Sequence, residues 1–542
     1  MPIKQLKLLG GAALLLAWSF DLLFWEKIPG ISFLIFVLLC LGAGLLLTWK
    51  ENLLPPVTSW LLIVPILFFA WMSFVRAEPF TLMIDYGLAL GGIYLLTVTW
   101  LGGRWWQYNL TDHLHNALVW TAGLLAKPVQ HFLPLFRPGQ KGGAEGGENS
   151  VANGAAAGPA RGRPVLSVLL GILLALPLVT LLAGLLAEAD PVFSQQLNAL
   201  LEFLNIENLT EYIFRLTYIL IFAYLLAGAL IYALVSSREE KLKFSEQPWL
   251  KPFLSWYAAL PLLVSVNLLF AFFVAVQFRY FFGGQANINL AGYTYAEYTR
   301  RGFGELVAVA LISLALYLGL SMVTQRAAGR QRRSFSALGI SLVLLVGVIL
   351  VSAFQRLLLY EAAYGFTRLR TYTHIFMLWL GVLLVAVAVL EGFGRLRYFA
   401  LVGILSCLGF GLTLNLLNVD AFVVHQNVSR TLQGEPLDVA YLAELSYDAV
   451  PALAERFDDQ RLPQAARSHI GAILACGAAL DARQTEPLPW QSFLWSRHNA
   501  RQLYQEYQAK LAAYTIESED GFLRVNVNGA LVDCQDYSWS YD

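Results

Sequence analysis

Arginine, glutamate and tyrosine recur together in this sequence beside the ends of long apolar runs, where a charged side chain needs a reason to be. One such stretch is Tyr293-Thr-Tyr-Ala-Glu-Tyr-Thr-Arg-Arg-Gly-Phe-Gly-Glu305. On a helix Glu297 stands four residues before Arg301, and Arg301 four before Glu305, so the three form a charge ladder, with Arg300 alongside. A second is Gln355-Arg-Leu-Leu-Leu-Tyr-Glu-Ala-Ala-Tyr-Gly-Phe-Thr-Arg-Leu-Arg-Thr-Tyr372. There Glu361, Tyr364 and Arg368 fall on one face if the helix is continuous, and Arg370, Tyr372 and His374 lead into the next apolar run. Asp190 in Ala189-Asp190-Pro191-Val-Phe193 and the segment Asn415-Leu-Leu-Asn418-Val-Asp420, with Asn427 and Arg430 beyond, complete the set. A guanidinium holds a carboxylate or phosphate with two parallel hydrogen bonds, and a nearby carboxylate can serve as a base. The candidate ligand-binding residues are therefore Asp190, Glu297, Arg300, Arg301, Glu305, Glu361, Tyr364, Arg368 and Arg370. Two readings stand side by side. One is an outward-facing pocket for an anionic lipid headgroup or small molecule. The other is a structural network tying helix ends together.

Other chemistries find little footing. The sequence has no GxxxxGK[ST], HExxH or CxxC motif and no dinucleotide fingerprint, so neither a cofactor nor a catalytic residue is assigned. His113 and His115 in Asp-His-Leu-His lack further matched ligands, and no metal site is expected. Formal net charge is +0, which gives no basis for a nucleic-acid partner. Cys40 and Cys407 sit in apolar runs as packing residues; Cys476 and Cys534 lie in a polar region, where a disulfide and two free thiols are equally open. Ionisable or amide groups also occur within apolar runs. Asp21 and Asp85 lie near run ends, where they can reach the headgroups, and Asn267 suits a helix-to-helix hydrogen bond.

The elements that must position these residues follow from the apolar runs. Hydrophobic residues make up 57% and charged ones only 14%, roughly half the usual charged share of a soluble chain, so a membrane is the expected solvent. About 11 runs approach the ~20 residues that cross a hydrocarbon core: 8–25, 30–48, 57–75, 80–101, 164–187, 212–235, 253–276, 303–323, 336–354, 371–390 and 398–416. With every backbone amide paired internally in lipid, each run is a helix. The first run resembles a signal peptide but lacks a small-residue cleavage site, and reads as a retained helix. Roughly twice as many Lys and Arg fall on one set of alternating loops, which places the N-terminus in the cytoplasm and the C-terminal region outside it. The fold class is an all-α membrane protein, a polytopic helical bundle with a small, mostly helical extramembrane domain at its C-terminus.

Four regions are expected. Residues 1–136 form a four-span block ending in an interfacial stretch that opens with Arg104-Trp-Trp-Gln-Tyr. Residues 137–163, rich in Gly and Ala, form a cytoplasmic linker. Residues 164–417 form a seven-span core, and 418–542 an extracytoplasmic domain. In that domain 437–457, 464–480 and 492–513 read as helices, and Asn528-Gly529 sits at the turn of a hairpin.

Four motifs carry a resemblance: Ala189-Asp-Pro-Val-Phe, Tyr295-Ala-Glu-Tyr-Thr-Arg-Arg-Gly-Phe-Gly-Glu-Leu, Leu359-Tyr-Glu-Ala-Ala-Tyr-Gly-Phe-Thr-Arg-Leu-Arg-Thr-Tyr, and Asn418-Val-Asp-Ala-Phe. Over roughly 164–450 the chain resembles bacterial multi-pass membrane proteins of unknown function, numbers 4153 and 4173 in the domain-of-unknown-function series. Val419 stands where that pattern has proline. The resemblance implies a protein of the bacterial cytoplasmic membrane, in contact with lipid, and no activity. Three functions remain in view: a transporter with an outward-facing anion or headgroup site, an envelope enzyme acting on a lipid-linked or phosphorylated substrate, and a membrane sensor or assembly factor with an unknown protein partner.

Overall fold

In the computed structural model, residues 3–136, 175, 178–179, 182–203, 209–238, 251–281, 303–326, 329–484, 488–519, 522–527 and 530–534 are described. The expected linker at 137–163 lies outside them, as does most of the fifth expected run. Among the described residues ten helices are long and apolar enough to cross a membrane. They match the other ten runs, and the fold is the all-α membrane bundle expected.

The first four spans are α1 (Ile3–Phe24), α2 (Ile31–Trp49), α3 (Val57–Val75) and α4 (Pro79–Thr99). Next come α5 (Leu110–Phe136), α6 (Pro191–Phe203) and α7 (Leu209–Ile231), which continues through a π-turn at Tyr232–Ser236. The later spans are α8 (Trp256–Phe281), α9 (Phe303–Val323), α10 (Gly329–Tyr364), α11 (Arg368–Gly392) and α12 (Phe399–Leu417). Long runs of apolar side chains make these helices stable in lipid, where a helix pairs its own backbone amides. Helices α8 to α11 bury one apolar cluster built on Leu263, Tyr317, Leu342, Ile349 and Leu380. Asn267 crosses it as expected, its Nδ2 donating to the carbonyls of Leu263 at 2.8 Å and Leu338 at 3.2 Å. A second cluster joins α2, α3 and α4. The early and late spans also pack on each other, α1 and α5 against α7, and α4 against α12.

After α12 the chain turns at Asn418, whose φ of 49° is left-handed, a state Asn tolerates better than most residues. The same side chain then caps α13 (Val419–Thr431) by accepting from Ala421 N at 3.4 Å. Short helix α14 (Val439–Ala443) precedes α15 (Val450–Phe457), α16 (Gln464–Arg483), α17 (Trp495–Glu506) and α18 (Gln508–Leu511). An antiparallel sheet in the order β1-β2-β3 follows, with β1 (Ile516–Glu519), β2 (Phe522–Val527) and β3 (Ala530–Asp533). Val527 pairs with Ala530, so the hairpin has the register its Asn-Gly turn demands. Strand β1 was not evident in the sequence; Ile516 pairs with Val525 and covers the hairpin's open edge. Cys476 of α16 and Cys534 after β3 form a disulfide that ties the sheet to the helices.

Candidate functional site

Several arginines at span ends face a specific partner. The site is best built from those pairs, beginning with the turn between α10 and α11. Helix α10 stops at Tyr364 because Gly365 adopts a φ of 79°. A Cβ there would lie 2.5 Å from Arg430 Nη1 and 2.8 Å from Asn427 Oδ1, so only glycine fits. Asn427 clamps the turn, its Oδ1 accepting from Phe366 N and its Nδ2 donating to Phe366 O, both at 2.8 Å. Arg430 Nη2 donates to Ala362 O at 2.8 Å, a cation at a helix C-terminus. Thr367 then caps α11, accepting from Arg370 N at 3.4 Å.

This break corrects the expectation that Glu361, Tyr364 and Arg368 share one helical face. Glu361 is buried and its Oε1 lies 3.1 Å from His374 Nδ1, while Tyr364 is exposed. Arg370 donates to the carbonyls of Tyr364 and Gly365 and lies over the Tyr360 ring at 4.2 Å. Arg368 turns to Asp420. Its Nε donates to Oδ1 at 2.6 Å and its Nη2 to Oδ2 at 2.7 Å, the two-bond fork that guanidinium geometry favours. Asp420 is fully buried, and its Oδ2 also accepts from Ser446 N at 2.8 Å and Ser446 Oγ at 2.6 Å. Tyr441 joins from α14, its hydroxyl accepting from Arg368 N at 2.6 Å.

A matching junction forms at the turn between α3 and α4. Asp448 Oδ2 accepts from Ala77 N at 2.8 Å and Glu78 N at 3.0 Å. Glu78 caps α4, accepting from Phe80 N at 2.9 Å and from Thr81 N and Oγ1 at 2.7 Å. Burial pushes the Asp448 carboxyl above the usual carboxylate range; the Ala77 hydrogen bond opposes this and the nearby Asp420 charge adds to it. Arg76 donates to the backbone carbonyl of Asn415, whose Nδ2 donates to Asp85 Oδ1 at 2.6 Å. Asp85 is fully buried, so it does not reach the headgroups as its position near a run end had suggested. Asp21 is likewise buried, taken by Arg215 of α7 at 3.0 and 2.6 Å. An ion pair across helices accounts for Asp21, since a lone charge at that depth is costly; Asp85 meets only the Asn415 amide, and its Oδ2 is buried without a hydrogen bond.

The two junctions meet at a cleft of about 460 Å³ lined by Glu78, Pro79, Phe80, Thr367, Arg368, Leu369, Tyr372 and Tyr441. It lies at the seam between the span ends and the C-terminal domain. Its volume falls within the range of small-molecule sites. The Arg368 side chain is 17% exposed and Asp420 completely covered, so the arginine faces the cleft already paired.

The sequence-derived candidates distribute unevenly. Arg368 lines the cleft, and Arg370 and Glu361 lie at the same turn in separate contacts. Asp190 is exposed and caps α6 by accepting from Val192 N at 2.8 Å. Glu305 is exposed in the first turn of α9. Glu297, Arg300 and Arg301 lie outside the described residues. Among the described residues no group of His, Cys, Asp and Glu could hold a metal ion. Sequence reasoning passed over Glu78, Asp448 and Tyr441. Glu78 before Pro79 at a helix start was a readable capping signal. Asp448 and Tyr441 offered none, because their partners lie far off in the chain.

A family model described as a domain of unknown function (DUF4153) matches residues 62–456. The match starts well before the stretch where the resemblance was read, and takes in Arg76, Glu78, Asp85, Arg368, Asp420 and Asp448. No curated protein and no solved structure matches the chain.

Proposed function

The chain belongs to the DUF4153 family, and on that premise we propose that it is an integral membrane protein that binds a phospholipid at the seam cleft. The cleft itself carries the reading. It sets the apolar side chains of Pro79, Phe80 and Leu369 beside Arg368 and Tyr441. Its polar groups are largely satisfied among themselves, so what it offers is apolar surface plus one partly exposed, already paired arginine. Those features suit the glycerol and upper acyl region of a phospholipid with its phosphate toward Arg368. A transporter finds less support, because the cluster at the heart of α8 to α11 is apolar, and the polar groups there bond within the protein: Ser352 Oγ donates to Gln277 Oε1 at 2.9 Å and Asn267 Nδ2 to two backbone carbonyls. For an enzyme, the Glu361–His374 pair has the right residue types, but the free ends of both side chains are sealed from solvent.

The cleft then faces the extracytoplasmic side of a bacterial cytoplasmic membrane. Two independent features support that orientation: the Lys and Arg bias between alternating loops, and the Cys476–Cys534 disulfide, which persists in an oxidising compartment. Native mass spectrometry of protein released from lipid nanodiscs tests the binding. Wild type retains phospholipid; Leu369→Trp, which fills the cleft from an exposed position, loses it without a change in unfolding temperature. Retention of the same lipid by the variant, or none by wild type, overturns the proposal.

A further inference from the structure

A second surface of interest stands apart from the cleft. It begins at the turn Trp490–Ser492, which leads into α17. Three span ends fix the height of this turn. Gln491 Nε2 donates to the carbonyl of Leu22, in the last turn of α1, at 3.4 Å. Ile31 N, at the start of α2, donates to Phe493 O at 3.1 Å. Phe74, in the last turn of α3, faces the Phe493 ring at 6.4 Å between centroids. The approach is close enough that a Cβ on Gly30 would lie 2.6 Å from Phe493 O, so glycine is required there. The turn therefore sits at the level where the hydrocarbon ends.

At that level two indoles face outward. Trp490 is 58% exposed and Trp495 52%, although both side chains belong to a folded domain with its own apolar core. Trp71, one turn before the end of α3 and 55% exposed, presents a third from the membrane span itself. An indole has a large apolar body and one N–H donor, which suits the boundary between acyl chains and headgroups better than either water or hydrocarbon. We infer that Trp490 and Trp495 insert into the headgroup layer of the adjoining leaflet, making the C-terminal domain a membrane-surface reader as well as a cap on the bundle. Lipid, rather than a protein, is the occupant because the turn is bounded by three span ends and ring contacts, Trp71 to Phe74 at 5.2 Å and Phe74 to Phe493 at 6.4 Å, link it to a membrane-spanning helix.

The test uses the full chain in phosphatidylcholine nanodiscs brominated either just below the headgroup or at the chain end. Trp490→Phe with Trp495→Phe keeps the ring packing and removes only the two indoles. The emission difference between wild type and this double variant isolates their signal. It should be quenched by bromine near the headgroup and spared by bromine at the chain end and by aqueous iodide. A difference signal that iodide quenches and shallow bromine leaves intact places both indoles in water and overturns the inference. If the double variant unfolds, the same comparison with Trp490→Phe alone decides it for that side chain.

Discussion

Removing one member of the Arg368–Asp420 pair leaves its partner charged, mostly buried and without its counter-ion. Asp420→Ala or Arg368→Ala should each cost about 3–5 kcal/mol. A double replacement by apolar side chains of similar size, Arg368→Met with Asp420→Leu, should cost much less, because no charge is then stranded. Unfolding in mixed micelles would read this out, and additive losses would contradict the pairing. Asp448 adds a dependence on pH. Burial holds its folded value above its unfolded value of about 4. The folded state therefore keeps a proton that the unfolded chain has released. The stability tied to that proton is complete below the unfolded value and is lost as pH rises through the folded one. The melting temperature should fall as pH rises from about 4, and Asp448→Asn, which retains an acceptor but cannot ionise, should flatten that slope. An unchanged slope would place the titration at another group. At this scale, sequence spacing was informative about residue type and not about partner. Arg368 stood out, yet Asp420 lies 52 positions away and Ser446 is further along still. Local periodicity cannot reveal a pairing that only the packing of α13 beside α11 creates.

Among the elements, the turn joining α10 to α11 decides where the cleft can be. Gly365→Ala would force a side chain into a left-handed backbone and against Arg430 and Asn427. The expected loss is about 1–3 kcal/mol, measured by unfolding, with release of bound phospholipid as the turn shifts. An unaltered protein would mean that the turn tolerates another path. The disulfide has a comparable role in the C-terminal domain, closing a separation of 58 residues. Replacing Cys476 and Cys534 by Ser should cost roughly 2–4 kcal/mol, seen as a lowered melting temperature that reductant reproduces in wild type. The spans were legible because hydrophobic length alone defines a membrane helix. The β2–β3 hairpin was legible through Asn-Gly. The break after Tyr364 was not anticipated, because apolar and aromatic residues continue through it and a lone glycine is an ambiguous stop signal. Strand β1 escaped notice because four residues of alternating pattern carry too little signal to separate from a loop.

For the molecule as a whole, the C-terminal domain and the span ends form one body. Arg368–Asp420, the Asp448 cap on Ala77 and Glu78, and the Phe493 contact at Ile31 join it at three separate turns. Coupling of this kind lets a molecule held between α4 and α11 bear on the domain as well, through Tyr441 and the Arg368–Asp420 pair. Most of the seam lies within the family match, whereas the disulfide and the Trp490 turn lie beyond it. The proposed phospholipid binding and the proposed surface contact are therefore separable by mutation. The most direct test of the central claim is a cryo-electron-microscopy map of the full chain in lipid nanodiscs. The account predicts elongated density along Phe80 and Leu369 with its head toward Arg368, absent in Leu369→Trp. A wild-type map with the seam filled only by ordered water, or closed by its own side chains, would contradict it.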